Sequence, residues 1–223
     1  MSDPNVINKW QIRLCFSRSG ALIWLGHLDM MRTMERSLRR AKLPISYSKG
    51  FNPRPELVFA LPAGVGIATK RDYVDVFLSE PVATEQFLSR LSTTVPRDLK
   101  VVEARLVEAE KKSIMGQVCA ADYGLYFPAA ASFGERIWQA DSIPVERIRK
   151  GKRRIIDLRP LLIKVYDGEA NALEIKVKAG SAENMRMDLL CTALIEQFDA
   201  AETAVNDAHI VRHELYFSPP TEH

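Results

Sequence analysis

The stretch from Gly26 to Pro55 concentrates the side chains of this chain that could do chemistry. It holds seven Lys and Arg residues against Asp29 and Glu35, a balance of +5, whereas the whole chain of 223 residues carries a net charge of only +3. A local positive excess favours a polyanion or a phosphate-bearing ligand. The chemistry expected here is therefore anion binding, and a solvated basic helix is the alternative.

A helix predicted to begin near His27 and to end before Pro44 positions most of these cations, because the residue before a proline avoids the helical region. On a helical wheel the buried face is formed by Met30, Met34, Leu38 and Ala41. The opposite side carries Arg32, Arg36 and Arg39, with Arg40 near its edge. Planar guanidinium groups match phosphate oxygens, so these arginines are predicted to bind phosphate; solvation and pairing with Glu35 is the alternative.

The loop "SYSKGFNPRP" that follows is the second candidate element. Phe51 could stack on a base or ring, while Lys49 and Arg54 supply positive charge. Asn52 before Pro53 indicates a tight turn. We interpret Lys49, Phe51, Asn52 and Arg54 as substrate-binding residues; a rigid turn with Phe51 in the core is the alternative.

His27 and Asp29 are the candidates for acid–base chemistry, with His27 at a helix N-terminus beside free backbone N–H groups. Within a regular helix they point about 200° apart, so they could not act on the same atom. The alternatives are a hydrogen-bonded His27 and an Asp29 that stabilises the helix dipole and pairs with Arg32. We expect the loop to return over this end of the helix and bring Asn52 and Arg54 close to both residues.

No motif of an established enzyme class accompanies these residues: the chain has no phosphate-binding loop, zinc-protease motif, nucleophile elbow or dinucleotide fingerprint. Cys15, Cys119 and Cys191 are too far apart for a disulfide framework or a metal cluster and are predicted to be small core residues. His209 and His213 lie in a strand pattern and are interpreted as a pair that binds no metal. The chain is expected to need no cofactor and to bind rather than catalyse.

A second basic segment, "RKGKRR" at 149–154, has five charged residues around Gly151. It is predicted to be a turn between short extended pieces, for which a solvated hairpin tip is the ordinary explanation. The two halves of the chain differ in charge: residues 1–107 hold 16 basic and 10 acidic residues, and residues 108–223 hold 15 and 18. The positive excess therefore lies in the first half.

Alternating and helical patterns place the candidate residues in an α+β fold. Residues 1–108 read as strand, helix, strand, strand, helix, strand, with strands at "WQIRLCFS", "ELVFALP", "DYVDVFLS" and "DLKVVEARLVE" and a second helix at "TEQFLSRLSTT". This is the ferredoxin-like β-α-β-β-α-β order. In the first strand Gln11, Arg13 and Cys15 form the face away from the core.

A connector at 109–120 is predicted to lead to a second, smaller β-rich α/β unit at 121–218. Its elements are a strand at "DYGLYFP", helices at "SFGERIWQAD" and "SAENMRMDLLCTALIEQF", a hairpin around "DGEAN" and a last strand at "AHIVRHELYF". Their order is compatible with a degenerate ferredoxin-like copy of the first unit, although no residue-level repeat links the halves. No apolar run approaches the roughly 20 residues of a membrane span, and no secretory signal is visible at the N-terminus, so a cytoplasmic location without membrane contact is expected.

The stretch "WLGHLDMMRTMERSLRRAKLPISYSKGFNPRPELVFALPAGVG", together with "DYVDVFLSE", resembles a bacterial family, the radical-SAM-linked domain of unknown function. The shared features are a His-Leu-Asp helix start, an arginine-rich helix, a Gly-Phe-Asn-Pro-x-Pro loop, a Leu-Pro-x-Gly turn and a Tyr-x-Asp strand. The chain departs at Gly26, where the family commonly has serine, and at Arg54, where it commonly has histidine. The loop of this chain therefore has no histidine that could serve as a ligand or as an acid–base partner.

The resemblance implies a partner more than a reaction, because members of that family occur fused to, or encoded beside, radical S-adenosylmethionine proteins. It implies an accessory module that presents a substrate to such a partner. The basic helix and the many RNA-binding proteins built on ferredoxin-like sheets favour RNA as the ligand. Two other hypotheses stay open: a small enzyme that uses His27 and Asp29 on a phosphate-bearing substrate, and a purely structural docking domain.

Overall fold

The computed structural model describes residues 10–108, 112–149, 151–166 and 168–218. The chain divides into two compact units, Met1–Gln117 and Val118–His223. The fold class is mixed α/β with mainly antiparallel strand pairing. Along the described residues, no helix combines the length and the apolar character that crossing a bilayer requires.

Among its described residues, the first unit contains four paired strands and two long helices. In chain order its elements are β1 (Trp10–Arg18), a 3-10 helix (Gly20–Trp24), α1 (His27–Arg40), β2 (Leu57–Phe59), β3 (Ile67–Leu78), α2 (Thr84–Ser92), β4 (Leu99–Val107) and the short α3 (Ile114–Gln117). The strands pair in the order β4-β1-β3-β2, and each neighbouring pair is antiparallel. Chain order and pairing order therefore differ, because each helix connects two strands that are not neighbours.

The core of this unit forms where the apolar stripes of the helices meet one face of the strands. Ile12, Leu14 and Phe16 of β1 are buried together with Met34 and Leu38 of α1. These positions alternate along the strand and recur at helical spacing along α1, as the sequence pattern predicts. Packing of this stripe fixes which side of α1, and hence which arginines, faces outward.

The other face of β1 is buried too. This corrects the expectation for Arg13 and confirms the prediction that Cys15 is a small core residue. Arg13 is 3% exposed and Cys15 1% exposed. Arg13 donates two hydrogen bonds to the Asp75 carboxylate, Nε to Oδ1 at 2.8 Å and Nη2 to Oδ2 at 3.0 Å, and Gln11 Nε2 donates to Oδ2 at 2.7 Å. Bidentate pairing makes burial of this charge tolerable, and strand alternation alone could not reveal it.

Backbone geometry explains the bounds of α1. The helix starts directly after Gly26, whose φ of −67° and ψ of 166° are extended, and its first backbone hydrogen bond runs from the Met30 N–H to the Gly26 carbonyl at 3.0 Å. At the other end Lys42 adopts a left-handed φ of 52°, and the Leu43 N–H reaches back to the Leu38 carbonyl at 3.4 Å. This is the hydrogen-bond pattern of a Schellman cap, and Pro44 then prevents further helix.

The second unit contains a four-strand set with a separate hairpin. In chain order its elements are β5 (Val118–Tyr126), α4 (Ser132–Gln139), β6 (Pro144–Arg149), β7 (Lys152–Asp157), a 3-10 helix (Arg159–Leu161), β8 (Leu162–Tyr166), β9 (Ala172–Lys178), α5 (Met187–Glu196), α6 (Glu202–Asn206) and β10 (His209–Phe217). The pairing order is β10-β5-β9-β8, and β6 pairs only with β7 within the described residues. The helix that was expected to begin at Ser181 begins at Met187, and residues 181–186 are not helical.

Candidate functional site

The outward side of α1 carries a ridge of exposed guanidinium groups at Arg32, Arg36 and Arg39, the positions expected from the helical wheel. Arg32 Nη1 lies 3.1 Å from the Asp29 carboxylate, and both side chains are more than half exposed. Arg39 lies 3.9 Å from the Glu35 carboxylate. Exposed pairs such as Arg32–Asp29 contribute at most about 1 kcal/mol, so Arg32 can exchange its partner for an incoming anion. The Glu35 carboxylate beside Arg39 is largely buried.

Arg40, also expected to bind substrate, has a structural role. Its Nη2 donates to the Thr94 carbonyl at 2.5 Å, and Thr94 Oγ1 donates to the Ser37 carbonyl at 2.9 Å. Arg90 of α2 reaches the opposite way and donates to the carbonyls of Ala41 and Lys42. These bonds join the C-terminal ends of α1 and α2, so Arg40 is less free to meet a ligand than its three neighbours.

The loop after α1 is closed at its base and exposed at its tip. The Ser48 N–H donates to the Arg54 carbonyl at 2.9 Å, and the Arg54 N–H donates to Ser48 Oγ at 3.1 Å. Between these two residues the side chains of Lys49, Phe51 and Asn52 are exposed, and the Phe51 ring is fully exposed. The alternative that Phe51 is a core residue is therefore wrong. A phenyl ring held in solvent on a closed loop is available for stacking.

A groove of about 460 Å³ opens at the base of this loop. It is lined by Ser48, Arg54, Pro55, Glu56, Leu57, Val58 and Phe77. Arg54 thus belongs both to the exposed loop and to the wall of the groove. The groove offers apolar side chains, one guanidinium group and the Glu56 carboxylate, which accepts a hydrogen bond from Ser46 Oγ at 2.6 Å.

His27 and Asp29 lie at the start of α1, and their side chains contact different residues. The His27 ring is exposed on one side and meets the buried Phe59 ring edge-to-face, with centroids 5.5 Å apart. Asp29 pairs with Arg32 and accepts no hydrogen bond from His27. Among the described residues no carboxylate orients the imidazole, so the geometry required for paired acid–base work is not assembled here.

The loop and the helix start are offset along the edge of the strands. The loop leaves and rejoins the edge at Phe77, whose carbonyl accepts from the Ser46 N–H, whereas Phe59, the residue beside His27, pairs with Val74. Three residues of strand correspond to about 10 Å. No hydrogen bond or ion pair of the described residues joins the loop to His27, and a composite site from both ends of the stretch remains a prediction.

A comparison with protein-family models finds one described as an uncharacterized protein conserved in bacteria, DUF2344, which matches residues 11–187. The chain belongs to this family. The matched residues include the arginine ridge, the loop, the groove and the β6–β7 hairpin. No curated protein matches the chain.

The second unit of this DUF2344 chain carries a polar cluster that the sequence did not reveal. Asp122 of β5 accepts hydrogen bonds from the hydroxyls of Tyr166 at 3.2 Å and Tyr216 at 2.6 Å. The hydrogen bond to Asp122, followed by burial, raises the pKa of Tyr216 above its ordinary value. The residues come from three strands far apart in sequence, so only their alternate spacing within each strand could have indicated a shared face.

A second polar group, on β5, β9 and β10, contains His213, one of the two histidines considered above. The Tyr126 hydroxyl lies 3.1 Å from His213 Nε2 and donates to Glu174 at 3.2 Å. His209 is near the Tyr126 ring, with centroids 6.2 Å apart. Within the part of the chain that the structure describes, no three His, Cys, Asp or Glu side chains are arranged to hold a metal ion. The cluster offers hydroxyl and carboxylate groups for hydrogen bonding.

Proposed function

We propose that this chain is an accessory binding module that holds a phosphate-rich substrate for a radical S-adenosylmethionine protein in the cytoplasm. The substrate that we propose is RNA. The observation that carries the RNA part is the fully exposed Phe51 on a closed loop between exposed Lys49 and Arg54. Single-stranded nucleic acids bind where aromatic rings stack on bases and cations follow the phosphates. The exposed arginines of α1 supply further positive charge for contacts with phosphate groups.

The radical S-adenosylmethionine partner is supported by the resemblance of the His-Leu-Asp, Gly-Phe-Asn-Pro and Tyr-x-Asp motifs. Co-purification of a tagged chain with such a protein from a bacterial lysate tests this part. Retention of the complex after charge reversal at Arg32 and Arg36 would favour docking through other surfaces. Recovery of no such protein under native conditions would count against the partner.

We further propose that the first unit is ferredoxin-like, on the basis of its antiparallel order β4-β1-β3-β2. The second unit has the order β10-β5-β9-β8, which is the same arrangement when its strands outside the hairpin are numbered in sequence. This supports a degenerate copy with the β6–β7 hairpin as an insertion. Sheets of this kind are a frequent scaffold of RNA-binding domains. This likeness of fold supports RNA binding less strongly than the exposed loop does, because one fold hosts many functions.

The RNA hypothesis is tested by titrating the full chain with short fluorescein-labelled RNA over a series of salt concentrations. We expect affinity to fall steeply with salt, with a slope of about −0.7 for each phosphate contact on a single strand. Phe51→Ala should weaken binding about tenfold without changing that slope, since stacking on one base is worth roughly 1–3 kcal/mol. Lys49→Gln/Arg54→Gln should weaken binding and flatten the slope.

Lys70→Gln/Lys100→Gln is the matched control, since it removes two exposed lysines of β3 and β4 and the same charge. It should leave both affinity and slope nearly unchanged. Absence of RNA binding at low salt, or equal losses in the control and the loop variant, would overturn the proposal.

A further inference from the structure

The β6–β7 hairpin carries a charge arrangement that folding does not explain. Residues 147–154 contain six Lys and Arg residues in eight positions. The strands are antiparallel, and Arg147 lies directly opposite Arg154. Directly opposed residues share a face, and like charges there are destabilising. An isolated two-stranded ribbon is also only marginally stable. The opposed arginines therefore destabilise an element that has little stability of its own.

The cations of the hairpin are poorly neutralised by the protein itself. Of those whose side chains the structure describes, only Arg153 has a carboxylate partner, Glu146 at 3.4 Å. Arg147, Lys152 and Arg154 have no ion pair with a described residue, and the Nε of Arg147 is buried without a hydrogen-bond partner there. Unpaired guanidinium groups on adjacent strands are free to donate hydrogen bonds to phosphate oxygens.

The base of the hairpin is fixed, so the cations are held in position. Asp157 accepts hydrogen bonds from the Ile143 N–H at 2.7 Å and from Ser142 Oγ at 3.0 Å. Gln197 Nε2 donates to the Pro144 carbonyl at 2.7 Å, and Val145 is buried at the root. Beyond this base the apolar side chains of Ile148 and Ile155 are exposed.

We propose that the β6–β7 hairpin is an arm that binds the phosphate backbone of RNA through the Arg147–Arg154 face, without reading base sequence. Residues two apart on a strand share a face and are about 7 Å apart, so Lys152 follows Arg154 along the Arg147–Arg154 face. Backbone contacts of this type position a nucleic acid and supply salt-dependent affinity. The inference rests on the proposed function in taking RNA as the ligand, and it adds a second contact region with its own residues.

The test combines RNA binding and thermal unfolding of the full chain. Arg147→Gln/Arg154→Gln should lower RNA affinity about tenfold and flatten the salt slope by about 1.4, which is two contacts at 0.7 each. Arg154→Glu should lower affinity further. In the absence of RNA the same Arg154→Glu change should raise Tm by about 1–3 °C, because it replaces an opposed like-charge pair by an attractive one.

The control Glu146→Gln/Arg153→Gln alters the other face of the same ribbon and leaves net charge unchanged, so its affinity and salt slope should match those of the wild type. If the Arg147/Arg154 variants bind RNA as the wild type does while Lys49→Gln/Arg54→Gln is weakened, the arm is wrong and the proposed function stands. If only the hairpin variants are weakened, the arm stands and the loop site fails. No binding by the wild type overturns both.

Discussion

Arg13 and Asp75 form a charged pair inside the first unit, where each side chain is almost fully buried. Removing an ion from water costs several kcal/mol, and the hydrogen bonds that the two groups make, two of them to each other, offset that cost. The pair therefore contributes little by its presence, whereas loss of one member leaves an uncompensated charge. The neighbouring Gln11 amide, which also donates to Asp75, would lose its acceptor as well.

We predict that Asp75→Asn lowers the free energy of unfolding by about 3 kcal/mol, measured by urea denaturation at neutral pH. The double variant Arg13→Met/Asp75→Leu should cost less than Asp75→Asn, since it buries no charge. If the double variant were the less stable of the two, the pair would be stabilising in its own right and this account of it would be wrong.

The three cysteines differ in environment, contrary to the expectation that all are core residues. Cys15 is buried, Cys191 is partly buried and Cys119 is exposed on β5. Burial, followed by the nearby Asp188 charge, raises the pKa of the Cys191 thiol to about 11. Since the thiolate is the reactive form, Cys191 is protected both by its position and by its protonation.

We predict that one thiol of the native chain reacts rapidly with Ellman's reagent at pH 8 and that Cys119→Ser removes this fast phase. The other two thiols should react at a comparable rate only after denaturation. A fast phase that persists in Cys119→Ser but disappears in Cys191→Ser would contradict the assignment.

At the level of elements, the Asp157 carboxylate is one of the groups that fix the hairpin base. Burial acts to raise the pKa of Asp157, but hydrogen bonds from the Ile143 and Arg159 backbone N–H groups and from the Ser142 hydroxyl outweigh it and hold the pKa below the ordinary value of 3.8. A pKa lowered by folding means that the carboxylate stabilises the native state above about pH 4. That contribution is lost as the pH falls through the folded-state pKa.

We predict that Asp157→Asn lowers stability by about 1 kcal/mol at pH 7 and that its Tm difference from the wild type shrinks below pH 4. Asp207→Asn, which removes an exposed carboxylate of the same unit, should show neither effect. A Tm difference that is constant from pH 7 to pH 3 would show that the charge of Asp157 is not what holds the hairpin base.

Elements with a strong period could be predicted from the sequence, and local irregularities could not. The bounds of α1 followed from its apolar stripe and from Pro44, and the observed helix is His27–Arg40. Ile45 and Tyr47 form only isolated bridges, because the loop separates them from β2. The five-residue α6 was missed, since one turn of helix leaves no measurable period.

The candidate site shows the same division between types of residue. Exposure of Arg32, Arg36 and Arg39 followed from the wheel, whereas the role of Arg40 depends on the Thr94 carbonyl, 54 positions away in sequence. No pattern within α1 carries that information. The polar cluster around Asp122 was missed for the same reason, since its hydrogen bonds connect strands that are distant in the chain.

For the whole molecule, the proposed RNA binding couples ligand concentration to stability. A ligand that binds only the native state at a hundred times its Kd stabilises that state by about 2.7 kcal/mol. For a chain of this size we predict a rise in Tm of about 5–10 °C at low salt, read by differential scanning fluorimetry with an unlabelled RNA. The rise should vanish at high salt, and a Tm independent of RNA at low salt would contradict the proposal.

The closed loop between Ser48 and Arg54 has a consequence for solubility. It divides what would otherwise be one long strand beside β3 into the bridge residues Ile45 and Tyr47 and the three-residue β2. Pro53 and Pro55 also remove backbone donors from this segment. A long, regular outer strand is a template on which another chain can add itself, and short, interrupted strands prevent this. Deleting residues 48–54 to simplify the fold would therefore create a sticky edge and promote aggregation between copies of the chain.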